Sequence, residues 1–241
     1  MVTAFVGGGV VLWWQRWGSP RPVAPEMPAR FVRDLPAECR QVVLVLSPAV
    51  TSVRARLWCL ERQAQGRWTA VLGPVEVTLG RSGLAWGRGE HSGEAPAGWR
   101  VKQEGDGCSP AGVFRLPYAF GGAPLSGGMR LPWRQMTDAM AGVDDPKSAH
   151  YNSVVDSTEV TKDWDSAEVM NRPDGLYDLG AFVAHNPDRV PGGGSCIFLH
   201  LWSGPGDSTS GCTAMTSEDL HGVLTWLDPA AGPRLVQWVE E

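Results

Sequence analysis

Gln41-Val42-Val43-Leu44-Val45-Leu46-Ser47 is apolar, rich in β-branched residues and too short for a helix. It reads as a buried strand. Downstream, segment 53–61 alternates, with Val53, Ala55, Leu57 and Cys59 to one side and Arg54, Arg56 and Trp58 to the other. That is the period of a strand with one covered face. Segments 67–72 and 75–79 are also strand-like and are separated by Gly73-Pro74, a turn signal. Together these runs predict a meander of short antiparallel strands, and hence a mainly β fold.

Further along, 111–116, 181–184, 195–202 and 234–239 are strand-like. Segment 80–107 is dense in glycine and reads as loop with a strand or two. Segment 217–227 reads as a helix: Ser217 is positioned to cap it, and Glu218 and Asp219 fall in its first turn. Leu220, Val223, Leu224 and Leu227 form its apolar stripe, and Pro229 stops it. Segment 132–178 is a long polar insert, acidic and poor in β-branched runs, with a short helix expected over 165–171. Its length for a connection suggests a lid or a substrate-binding loop.

The 30 glycines and 19 prolines favour many short elements joined by turns, and 43% hydrophobic residues supply a sizeable core. A net charge of −5 without any dense Lys/Arg run argues against nucleic acid as a partner. Most of the 12 tryptophans are expected in the core, with Trp202 the exception. Residues 1–14 form an apolar stretch too short to span a bilayer comfortably and suited to a signal-peptide core. Residues 1–38 are therefore read as an export signal or membrane anchor followed by a Pro-rich linker, and 39–241 as one catalytic domain. An exported protein is expected, and a monomer. Five cysteines are an odd count; in an exported chain four could form two disulfides, with three connectivities open. Alternatively, Cys59 and Cys196 are small buried residues in strands.

The chemistry is concentrated in Ser195-Cys196-Ile197-Phe198-Leu199-His200-Leu201-Trp202 and Thr209-Ser210-Gly211-Cys212. Strand alternation sends Ile197, Leu199 and Leu201 to a core and Phe198, His200 and Trp202 to the other face. A Gly/Ser/Pro-rich loop then returns the chain to Cys212. This is the layout of a thiol nucleophile and its base, with the imidazole expected to lower the thiol pKa through an ion pair. The N–H groups of Gly211 and Cys212 are placed to meet an oxyanion. Thr209 and Ser210 are expected to orient the histidine; Asp207 is a weaker candidate. The dyad calls for no cofactor and no metal.

His200 followed by Thr209-Ser210-Gly211-Cys212 resembles the catalytic domain of the L,D-transpeptidases, the YkuD-like family, whose signature is a histidine, a spacer and Ser/Thr-x-Gly-Cys. Residues 102–107 and 109–114, Asp144-Asp145-Pro146, Tyr151-Asn152, Trp164, Glu168-Val169-Met170, Tyr177-Asp178 and His185-Asn186 resemble an exported bacterial branch of that family. The likeness covers roughly 40–240. It implies a β-sandwich enzyme acting on peptidoglycan stem peptides. Cys212 would attack the carbonyl of an L-centre joined to a D-residue, giving a thioester, with His200 as base and then acid. An amine would resolve the thioester as a crosslink, and water as hydrolysis, the outcome of a carboxypeptidase or endopeptidase. Ser210 stands where well-studied members have histidine, and Ala214 where they have arginine. That leaves donor recognition, and transfer against hydrolysis, undecided. His185 is a candidate replacement polar group. Asn186, Trp202, Tyr151 and Asn152 are further candidates for substrate binding, and Tyr151, Asn152 and Asp106 equally suit structural roles.

Two rival readings remain at the level of sequence. One is a zinc D,D-peptidase using His200, Asp207 and His221 or His185, although zinc needs three well-placed ligands and an open position. The other is a cell-wall binding module with an inactive site, against which the intact His200/Cys212 pair argues.

Overall fold

The computed structural model describes residues 22–123 and 128–240. The antiparallel meander is present: β1 (Gln41–Ser47), β2 (Arg54–Arg62) and β3 (Trp68–Thr78) pair in sequence. The alternation in β2 holds through Leu57, after which Trp58, Cys59 and Leu60 are all buried. Gly73-Pro74 is not a turn. β3 runs straight through it, with an irregular register against β2 between Leu57 and Leu60. Gly73 takes φ 117°, and a Cβ there would lie 2.6 Å from the Leu57 carbonyl oxygen, so glycine is required by both backbone and space.

Beyond the meander come β4 (Leu84–Trp86), β5 (Ser109–Arg115), β6 (Ala119–Gly121), β7 (Trp133–Gln135), β11 (Gly180–Phe182), β12 (Phe198–Leu201), β13 (Thr213–Met215) and β14 (Arg234–Val239). These complete an eleven-stranded sheet ordered β4-β5-β14-β1-β2-β3-β13-β12-β11-β6-β7. The fold is mainly β, as expected, but the sheet is mixed. β1 with β14, β4 with β5, β6 with β7 and β12 with β13 are parallel pairs. Single-strand patterns cannot reveal this, because side-chain alternation is the same in both ladder types.

The polar insert is folded rather than an open loop. Its β8 (Met140–Val143), β9 (Ser153–Asp156) and β10 (Ala167–Val169) form a second sheet, ordered β10-β8-β9. The helix expected over 165–171 is replaced by β10. The C-terminal helix, α2 (Ser217–Trp226), has Thr216 rather than Ser217 as its cap, with Thr216 Oγ1 accepting from the Asp219 N–H at 3.1 Å. Residues 22–38, read as linker, include a short helix, α1 (Ala29–Val32), and Phe31 is fully buried against Trp86 and Trp238. The apolar stretch 1–14 lies outside the described residues. Among those described, no helix is long and apolar enough to cross a membrane. All five cysteines are free and buried.

Two apolar clusters meet at β12. Ile197 and Leu199 pack into the larger one with the β1 residues and the α2 leucines. Phe198 joins Cys212, Phe120, Met170, Tyr177 and Phe182 in the smaller one. That smaller cluster also takes in Val154 of β9, and it ties the small sheet to the large one.

Candidate active site

β12 and β13 lie side by side in parallel, with Leu199 opposite Thr213 and His200 opposite Ala214. Residues two apart share a face, so Phe198, His200 and the residues flanking Ala214 at even spacing, Cys212 included, project to the same side. On that side lies a cleft of about 500 Å³ lined by Cys212, His200 and Trp202, with Thr209, Ser210 and Gly211 on its wall, while Phe198 is fully buried. The small Ala214 beside His200 leaves this part of the wall open.

Cys212 Sγ accepts from the Phe198 N–H at 3.3 Å, and its thiol donates to the Cys196 carbonyl at 3.6 Å. Neither bond goes to His200. Burial, then the Glu168 carboxylate, pushes the thiol well above its ordinary range, opposed by the Phe198 amide. The expected thiolate–imidazolium pair is therefore corrected: the resting site holds a neutral thiol. His200 Nδ1 lies 2.6 Å from the Leu201 carbonyl oxygen. A carbonyl only accepts, so Nδ1 carries the proton and Nε2 keeps its lone pair. Burial pulls the imidazole down to about 4, against backbone acceptors at Leu201 and Leu176. The Tyr177 ring meets His200 edge-on, with centroids 5.2 Å apart.

The glycine before Cys212 is constrained. Gly211 has φ 155°, and a Cβ on it would lie 3.0 Å from the Cys108 carbonyl oxygen. Its N–H donates to Thr209 Oγ1 at 3.1 Å, so it is occupied and does not face a substrate. Thr209 Oγ1 in turn donates to the Cys212 carbonyl at 2.7 Å, and Ser109 Oγ to the same oxygen at 2.9 Å. Ser210 Oγ accepts from Arg81 at 3.3 Å. Thr209 thus braces the turn before Cys212, and neither it nor Ser210 orients the histidine. That role falls to the Leu201 carbonyl and Tyr177. Asp207 lies on the cleft wall.

Of the residues expected to bind substrate, only Trp202 lines the cleft. His185 is buried and lines a separate pocket with Asn152, with Nε2 on the Gly193 carbonyl at 2.9 Å and Nδ1 accepting from the Arg88 N–H at 3.2 Å. Burial holds it down to about 3. Asn186 ties down the following loop through Val190 and Gly194. Asn152 donates to the carbonyls of His185 and Asn186 and accepts from the Cys196 N–H. The Tyr151 hydroxyl donates to Glu104 and accepts from the Gly194 N–H. These four are braces around the site. Asp106 is another: it accepts from Lys102 Nζ and from the Gln103 and Cys108 amides. Among the described residues no three His, Cys, Asp or Glu side chains are grouped to hold a metal ion, and His221 lies on α2 rather than beside His200. The zinc reading thus lacks its ligand set.

No family model and no curated protein matches the chain. Among solved structures the chain is similar to the helical cell shape determining protein Pgp2 from Campylobacter jejuni, at 14% identity and a TM-score of 0.39. The match covers 84% of this chain and 48% of that one, so the chain spans about half the length of that structure. A likeness this low carries no argument.

Sequence reasoning missed the charged lining of the cleft. Glu104, Asp144 and Glu168 line it together with Arg81, Lys102 and Arg172. Glu168 accepts from the Tyr177 hydroxyl, and its carboxyl is raised by burial and by the neighbouring Asp144. Glu168 and Tyr177 both belong to the polar insert. Their acid-and-aromatic composition in a segment too long for a connection was the available signal; only their convergence on Cys212 required coordinates.

Proposed function

We propose that this protein is a cysteine-dependent acyltransferase acting on peptidoglycan stem peptides, an L,D-transpeptidase. The observation that carries the proposal is a buried thiol in a cleft with a histidine whose Nδ1 proton is pinned to the Leu201 carbonyl, which leaves Nε2 as the free base. As the thiol is neutral at rest, ionisation accompanies attack: Nε2 takes the Sγ proton while sulfur bonds to the scissile carbonyl carbon. With the Gly211 amide engaged by Thr209, the Cys212 N–H is the proposed donor to the oxyanion. Collapse of the tetrahedral intermediate expels the D-residue amine, which takes the proton from His200, and leaves a Cys212 thioester. An acceptor amine resolves the thioester as His200 removes its proton, giving a crosslink and the free thiol. Water in place of the amine gives a shortened stem. An exported, periplasmic or wall-associated location follows from this substrate.

The test is incubation with purified muropeptides, read by mass spectrometry. New dimers, absent with Cys212→Ala, are expected. Shortened stems alone would assign hydrolysis, and unchanged muropeptides would overturn the proposal.

A further inference from the structure

A second pocket of about 170 Å³ adjoins the cleft, and Trp202 forms part of the wall of both. It is too small for a drug-sized ligand and has room for a single ring. The sheet connects the two sites. His200 pairs with Ala214, Ala214 with Thr78, and Thr78 with Arg54. Paired residues point to the same face, so these four side chains form one row across β12, β13, β3 and β2. The row spans three strand spacings, about 14 Å, from the base to the second pocket.

Thr78 lines this pocket and is 1% exposed, yet its hydroxyl has no hydrogen-bond partner. A buried hydroxyl without a partner is costly and asks for one. Arg54 is exposed at the pocket wall, whereas neighbouring Arg56 is engaged by Glu240 at 2.8 Å. Gly206 passes over Arg54: a Cβ there would lie 3.0 Å from Nη2, so the glycine keeps that approach open. Pro205 supplies apolar contact. An aromatic ring, a guanidinium and an unpaired hydroxyl around a one-ring space suit a ligand with an apolar ring face and polar edges, which is the chemistry of a pyranose.

We propose that this pocket is a subsite for one N-acetylated pyranose of the glycan strand whose stem peptide enters the cleft. The proposal rests on the peptidoglycan reading of that cleft. The acetamide oxygen accepts from the Thr78 hydroxyl, the sugar hydroxyls meet Arg54, and the ring lies against Trp202.

Calorimetric titration of the full chain with the disaccharide N-acetylglucosaminyl-N-acetylmuramic acid tests it without turnover. Saturable binding is expected, weakened about tenfold in Thr78→Val and in Arg54→Ala, the loss of one hydrogen-bonded contact each. Thr78→Val should not lower the urea midpoint, since it removes an unpaired buried hydroxyl, so weaker binding there is not misfolding. No saturable binding, or unchanged affinity in both variants, overturns the subsite. Disaccharide binding without muropeptide turnover would keep the pocket and remove the enzyme reading. Turnover of free stem peptides without disaccharide binding would do the reverse.

Discussion

Cys212 is buried, hydrogen-bonded to backbone and held under the negative potential of Glu168. Its reactivity at rest is therefore expected to be low. Glu168→Gln removes that charge, and alkylation of Cys212 by iodoacetamide at pH 8, followed by mass spectrometry, should speed up several-fold; an unchanged rate would mean that burial alone sets the thiol. His200 makes a second prediction. Because burial holds its folded pKa down to about 4, the neutral base persists into acid, and the acid limb of the kcat/KM profile should lie near 4 rather than near the ordinary 6.5. The same shift bears on stability. Between 6.5 and about 4 the unfolded chain binds a proton at this position that the folded chain does not, so the contribution is complete above 6.5 and is lost as pH falls through that window. The loss from His200 is on the order of 3 kcal/mol, and His185, held down to about 3, adds to it over a wider range. Urea midpoints measured from pH 7.5 to 4.5 should fall steadily; a flat profile would show that these imidazoles are solvated. The meeting of Cys212 and His200 at one cleft was legible because a histidine at a strand end and a Gly-Cys after a loop are local patterns. The partners that tune it were not, since Glu168 and Tyr177 reach Cys212 only through the packing of the two sheets.

At the scale of elements, the turn entering β13 is stiffened by one hydroxyl, since Thr209 Oγ1 bridges the Gly211 N–H and the Cys212 carbonyl. Thr209→Val keeps the shape and removes both bonds. It should cost about 1–2 kcal/mol in the urea midpoint and lower kcat more than it raises KM, because the nucleophile loses its placement. Thr209→Ser should restore both, and failure of that rescue would point to packing of the methyl instead. The strands β1 and β14 and the helix α2 were readable from sequence to within a residue or two. Their apolar periods are uninterrupted, and Pro229 bounds the helix. β3 was misread as two strands because Gly-Pro usually breaks a ladder, while here a bulge opposite Leu57 absorbs it. β10 was misread as a helix because a three-residue strand has no period to detect, and its pairing with β8 is decided by tertiary contact.

At the scale of the molecule, the cleft has one wall from the eleven-stranded sheet and another from the insert, so its geometry depends on how firmly the two are joined. Beside the apolar cluster, the joint has a polar part that passes through Asn152. This residue sits at φ 56°, a conformation asparagine tolerates, just before β9. Its side chain donates to the His185 and Asn186 carbonyls at 2.8 Å each and accepts from the Cys196 N–H at 3.0 Å. Cys196 in turn offers its carbonyl to the Cys212 thiol. A chain of bonds thus runs from the insert to Cys212. Asn152→Ala leaves the buried His185 carbonyl and Cys196 amide without partners, while the Asn186 carbonyl keeps the Arg189 N–H; each orphaned group costs about 1–3 kcal/mol if no water replaces the side chain. The protein should be destabilised by about 2 kcal/mol or more on that basis, and the loss should be uneven. Hydrogen exchange should accelerate first in β8, β9 and β10, where the insert loses its anchor, while β1, β2 and β3 keep their protection up to global unfolding. Muropeptide turnover should fall with it, because Glu168 and Tyr177 move with the insert. Uniform acceleration across both sheets would instead mean that they open as a single cooperative unit and that Asn152 is one brace among many.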